Sequence, residues 1–139
     1  MGDRSNTFIQ MDERPRLYDG EVIRPREWNG IGFYSHWGGQ RSQVHAIIAA
    51  RDSQERLGDE AYFTRRVIHK LMITEADSDS PTGHGLWVTD PCDNEYPILV
   101  INAKTGMAWL SDENEYRNDP DEAVHINDFD LSSLGGSDD

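Results

Sequence analysis

Residues 31–35 read Ile-Gly-Phe-Tyr-Ser, a short apolar run among glycines that predicts a buried strand. From Ser42 the period changes. Val44, Ile47 and Ile48 recur at helical spacing among Ala46, Ala49 and Ala50, which favour the same state, and the predicted helix fades near Asp52. After a polar connection over 51–58, Asp59 is placed to cap a second helix, with Glu60 in its first turn where a negative charge suits the helix dipole. Phe63, Val67 and Leu71 together with Tyr62, Ile68 and Met72 give this helix a broad apolar face, so it is expected to be well buried. The stretch TEADSDSPTGHG, residues 74–85, gathers the breakers of a long exposed loop. Beyond it, 86–89 reads as a strand and 97–102 (PILVIN) as a nearly continuous apolar strand. The turn AKTG then leads back into 107–110 as a hairpin.

The order strand, helix, helix, strand, strand, strand predicts an α/β domain of the α+β type, a small mixed or antiparallel sheet of about four strands with two helices on one face. Residues 1–30 are polar, contain Pro15 and Pro25 and hold no sustained period, so they read as an N-terminal arm with one short strand around 21–23. The core is expected in residues 31–111. Residues 112–139 form an acidic tail in which Val124, Ile126, Phe129 and Leu131 are spaced as anchors. Such a tail suits either an extra edge strand or a segment ordered by a partner.

A chain of 139 residues matches one domain with one modest core. Its 26 acidic and 13 basic side chains give a formal charge of −13, which disfavours nucleic-acid backbones as partners. The charge is concentrated: residues 112–139 hold ten acids and only Arg117, so the body is mildly acidic. Among the bases only Lys70 and Lys104 are lysine, a skew that with the acid surplus resembles proteins of extreme halophiles, although a high-GC genome also favours arginine. The single cysteine, Cys92, excludes an internal disulfide and a cysteine zinc cluster, and reads as a small packing residue. There is no apolar run of membrane-spanning length, and charges near the N-terminus occupy the place of a signal-peptide core. A cytoplasmic protein is expected, with virion association as the alternative.

The chemistry concentrates in GFYSHWGGQRS, residues 32–42. A strand that ends in Gly38-Gly39 and feeds a helix presents unpaired amides at the positive end of a dipole, an anion-attracting arrangement. Arg41 and Ser42 add a charged fork and a hydroxyl, while Tyr34, His36 and Trp37 add flat rings and a ring nitrogen. The same residues also suit a plain structural corner. The spacing matches neither the Walker nor the dinucleotide fingerprint. No catalytic residue is assigned; a hydrolytic reading would rest on His36 with Glu95 or Asp93, and His84 is a further ring near the turn. His36, His45, His69, His84 and His125 lack the spacing of common zinc motifs, so no metal and no cofactor is expected, and His45 and His69 read as helix-surface residues. Arg65 and Arg66 lie mid-helix, where a buried one needs an acid such as Glu95 or Asp93, or a bound phosphate.

YSHWGG (34–39), DEAYFTRRVIHKLM (59–72), TGHG (82–85) and DNEYPILVIN (93–102) together resemble a family of small uncharacterised proteins of bacteria, archaea and their tailed viruses. The resemblance covers about residues 31–102. It rests on an aromatic-x-His-Trp-Gly strand end, an arginine matching Arg65, a Thr-Gly-x-Gly loop and an Asn-Glu-x-Pro strand entrance. Arg66 departs from the pattern, which has an apolar residue there. The resemblance implies a viral or mobile-element setting but no reaction, and it groups Tyr34, His36, Trp37, Gly38, Arg65, Gly83, Gly85, Asn94 and Glu95 as one constellation. The expected function is therefore an accessory protein that binds a compact anionic, nucleotide-like ligand at Tyr34, His36, Trp37, Gly38, Gly39, Arg41 and Ser42, with Arg65, His84 and Glu95 contributing. The alternatives are a virion component or inhibitor whose tail, 112–139, docks on a basic partner, and a hydrolase dependent on His36.

Overall fold

Six residues of the expected arm form a strand at the centre of the sheet. The computed structural model describes residues 4–11, 16–18, 21–23, 30–36, 38–75, 83–87, 96–111 and 122–134. In chain order the elements are β1 (Ser5–Gln10), β2 (Arg16–Tyr18), β3 (Glu21–Ile23), β4 (Gly30–Ser35), α1 (Gly39–Asp52), α2 (Glu60–Glu75), β5 (His84–Trp87), β6 (Ile98–Asn102), β7 (Met107–Ser111) and β8 (Val124–His125). The main sheet has six strands in the order β5-β4-β1-β6-β7-β8, and β2 and β3 pair separately. Within the main sheet β1 runs parallel to β6, and the other pairings are antiparallel. The protein is thus α+β with two helices and a mixed sheet. The expected count of about four strands was short because β1 arises from the arm and β8 from the tail.

β1 hides from a periodicity reading because both of its faces are buried, so its side chains need not alternate in polarity. Its polar groups are consumed instead. Ser5 Oγ donates to the Gly39 carbonyl at 2.7 Å, Asn6 Oδ1 accepts the Trp87 indole N–H at 2.8 Å, and Gln10 Oε1 accepts from Asn102. Paired in this way, polar atoms can be buried at little cost.

The register divides the core into two layers. Ile9, Phe33, Leu99, Ile101 and Ala108 face α1 and α2, while Phe8, Trp87, Ile98, Val100 and Trp109 form a separate cluster on the second face. Phe8, Ile98 and Val100 are fully buried, so the sheet is closed to water on both sides. Gly32 makes the second cluster possible: a Cβ there would lie 1.9 Å from Trp87 Cε2, and only a glycine admits the indole. Trp87 thereby stacks on Phe8 with ring centres 5.2 Å apart.

α1 starts three residues before the expected Ser42 and packs Ala46, Ile47, Ala49 and Ala50 inward, leaving Ile48 exposed. α2 buries Phe63, Thr64, Val67 and Leu71, whereas Tyr62 and Met72 are each 43% exposed. The broad apolar face expected of α2 is therefore narrower. At 3.6 residues per turn, Tyr62 and Met72 lie about 140° from the line through Phe63, Val67 and Leu71.

The described part of the tail adopts the edge-strand alternative. β8 pairs with β7, and two short 3-10 turns follow at Ile126–Asp128 and Leu131–Leu134. Arg51, in the last turn of α1, donates through Nε to the Ile126 carbonyl at 2.8 Å and through Nη2 to the Phe129 carbonyl at 3.0 Å. Gln54 and Asn127 exchange amide hydrogen bonds of 3.1 and 2.9 Å, and the Ile126 amide donates to the Gly106 carbonyl at 2.9 Å. Ile126, Phe129 and Leu134 are buried. Among the described residues, no helix is long and apolar enough to cross a membrane.

Candidate functional site

At the end of β4 the side chains alternate, so Tyr34 and Ser35 project to opposite faces. The His36 amide donates to the Gly83 carbonyl at 2.7 Å, which stitches the strand end to the start of β5. His36 lies on the Tyr34 side, with Tyr34 Oη 2.6 Å from His36 Nδ1 and the two rings tilted by 59°. When the phenol donates in this contact, the imidazole proton sits on Nε2, which is then a donor.

On the other face two serines dock the first turn of α1. Ser35 Oγ accepts the Gly38 amide at 3.0 Å, and Ser5 Oγ donates to the Gly39 carbonyl. Gly38 is right-handed (φ −79°, ψ −20°) and Gly39 left-handed (φ +56°), the succession from which anion-holding concavities are built, here with Gly39 buried and the Gly38 amide engaged by Ser35. A side chain at Gly39 would be strained. Among the described residues no acceptor meets the amides of Gly39 and Gln40, and no side chain caps the helix.

The structure brings only part of the expected constellation to this turn. Tyr34, His36, Gly38, Gly39 and the exposed Arg41 are there. Ser42 is not available in the expected role, because its amide donates to the Gly38 carbonyl at 3.4 Å and its side chain is buried against the sheet. His84 pairs across β5 with Ser35 and projects to the helix face, 5.6 Å from the Phe33 ring, so the sheet separates its imidazole from Tyr34. Gly85 falls on the Tyr34 side. Among the described residues only Tyr34 Cδ2 comes within 4 Å of where a Gly85 Cβ would sit, which leaves room beside the phenol ring. Arg65 is elsewhere, on the outer side of α2 against Tyr62. Arg66 pairs with Glu55, where Glu95 or Asp93 had been expected. Hydrogen bonds from the backbone and from Arg66 hold the Glu55 carboxyl below the usual glutamate range. His69 is exposed and His45 half-buried. Trp37, Cys92, Asp93, Asn94 and Glu95 lie outside the described residues.

The two docking serines escaped the sequence reading. Ser35 carried a usable signal, a hydroxyl three residues before a glycine amide at a strand-to-helix turn. Ser5 carried none, because its contact with Gly39 joins positions 34 residues apart.

Comparison with protein-family models, with curated proteins and with solved structures gave no match. What the site can do therefore follows from its geometry. Unmatched amides at a helix start, an exposed arginine in the same turn and a phenol-anchored imidazole are the groups from which oxyanion binding is built. Among the described residues no three His, Cys, Asp or Glu side chains converge as a metal site would require.

Proposed function

We propose that the protein binds a compact anionic ligand, nucleotide-like in size and charge, at the turn from Tyr34 to Arg41. The observation that carries this reading is the Gly38-Gly39 turn, a right-handed and then a left-handed glycine at the start of α1, two residues after the Tyr34–His36 pair in the chain. A phosphate would take the amides of Gly39 and Gln40, with charge from Arg41 and a ring N–H from His36. A flat base would lie against Tyr34, in the room left by Gly85. An accessory role in a virus or mobile element is part of the proposal and rests on the resemblance of the YSHWGG, DEAYFTRRVIHKLM, TGHG and DNEYPILVIN segments alone.

Binding is favoured over hydrolysis by one contact. In a triad-type hydrolase a carboxylate orients the histidine through Nδ1, and here the Tyr34 phenol is at that nitrogen. Calorimetric titration with inorganic phosphate and with nucleoside mono-, di- and cyclic phosphates tests the proposal. Saturable heat is expected from at least one of them, with affinity reduced about tenfold or more by His36→Ala or Arg41→Gln, the size of one lost charge-assisted hydrogen bond. Folded protein that gives no heat with any of these ligands overturns it.

A further inference from the structure

The outer face of α2 differs in character from the rest of this acidic chain. Over the helix, Tyr62, Arg65, Arg66, His69, Met72 and Ile73 fall within an arc of about 120°, opposite the buried line of Phe63, Val67 and Leu71. None of the six is acidic, although the chain has two acids for every base. The acids of α2, Glu60 and Glu75, lie outside the arc. Tyr62, Met72 and Ile73 are 43, 43 and 57% exposed, half of the large exposed apolar side chains among the described residues.

Two guanidinium groups converge on one ring in this face. Arg56 lies 4.3 Å and Arg65 5.1 Å from the centre of Tyr62. Glu55 pairs with Arg66 and feels Arg56 only as a more distant charge. Neither Arg56 nor Arg65 has a carboxylate within ion-pair distance among the described residues. Two like charges held against one ring repel each other, and the cation–π contacts hold them with their outer N–H groups toward solvent. That arrangement is pre-organised for an external anion. Met72 and Ile73 lie two to three turns further along the same face, about 10–15 Å away.

We propose that this face, from the Arg56–Tyr62–Arg65 cluster to Met72 and Ile73, is a docking surface for a partner-protein segment carrying carboxylates at one end and apolar side chains at the other. Charge complementarity selects the carboxylates, and the exposed Met72 and Ile73 select the apolar end. Arginine and tyrosine are also the residue types on which interface energy concentrates. Nucleic acid and anionic membranes fit less well, because each extends its charge over the whole molecule and meets the −13 of this chain. A peptide segment meets the local face alone.

The test measures fluorescence anisotropy of a labelled peptide that carries glutamates at one end and leucines at the other. Its comparison arms are polyglutamate, duplex DNA and phosphatidylserine vesicles. The mixed peptide is expected to bind, and binding should weaken with salt. The pair Arg56→Glu with Arg65→Glu should reduce affinity about tenfold or more, and Ile73→Ser should reduce it by a smaller factor. These side chains are exposed, so unchanged unfolding midpoints are expected. If the charge-reversed pair does not fold, Arg65→Gln carries the same prediction at smaller size. The proposal fails if the mixed peptide does not bind, if the arginine changes leave its affinity unaltered, or if polyglutamate, DNA or vesicles bind as well.

Discussion

β1 and the segment from β8 through Leu134 are both polar-looking ends of the chain closed onto the core, but by different means. β1 sits between two strands with every side chain buried, and its polar atoms are matched to partners on α1, β5 and β6. The C-terminal segment makes one edge pairing and depends on Arg51, Gln54 and three buried apolar side chains. A strand in the middle of a sheet is lost only with the whole sheet. An edge segment held by side-chain hydrogen bonds can open by itself.

Substitution at the centre should have the largest effect. Phe8→Ala removes a fully buried ring that stacks on Trp87, and a loss of about 3–5 kcal/mol is expected in denaturant unfolding. A loss below about 1 kcal/mol would mean that β1 is not integral to the core. Next in size, Arg51→Ala removes two charge-assisted bonds to the carbonyls of Ile126 and Phe129, for about 2–3 kcal/mol. Hydrogen exchange sharpens the contrast: the Ile126 amide should exchange faster in this variant while β1 amides keep their protection. If both speed up equally, the two regions form one cooperative unit.

Gln54→Ala should cost less, about 0.5–1 kcal/mol, because its reciprocal bonds with Asn127 are exposed to water. The smallest effect concerns pH. The Glu55 carboxyl is lowered by backbone and Arg66 hydrogen bonds, and that of Asp130 by side-chain and backbone hydrogen bonds from Ser132. A lowered folded-state pKa favours the native state above the ordinary carboxylate range, and this contribution is lost as the pH falls through the lowered value. Both groups are exposed, so Glu55→Gln should only slightly flatten the acid limb of a stability profile, and less so at high salt. An unchanged slope at low salt would remove the Arg66–Glu55 pair from the account.

The two ends also show how far the sequence is legible. The helices, β4 and the β6–β7 hairpin follow from apolar periodicity and turn residues, since each presents one face or one run to the core. Of the expected anchors Val124, Ile126, Phe129 and Leu131, Ile126 and Phe129 are buried, Leu131 is partly buried and Val124 is exposed, because it sits on the short edge strand β8. SNTFIQ had no such pattern, because Ser5, Asn6 and Gln10 are buried for their hydrogen bonds and their partners are distant in sequence. The site divides in the same way. The glycine pair and the Tyr34–His36 spacing were readable locally, and so was Arg41. The placing of His84 across the sheet from Tyr34 depended on strand pairing. The burial of Ser42 follows instead from the helical stripe that it shares with Ala46, Ala49 and Ala50. The outer stripe of α2 had been counted as core because Tyr62 and Met72 are apolar, and only the phase set by Phe63, Val67 and Leu71 turns them outward.

The most direct test of the glycine turn is an amide-resolved titration of ¹⁵N-labelled protein with adenosine monophosphate and, separately, with inorganic phosphate. The amide resonances of Gly39 and Gln40 should shift together and saturate at one ligand concentration, while Gly58, a left-handed glycine in an exposed turn, stays in place. Resonances of Gly39 and Gln40 that move no further than that of Gly58 with either ligand would contradict the proposed site.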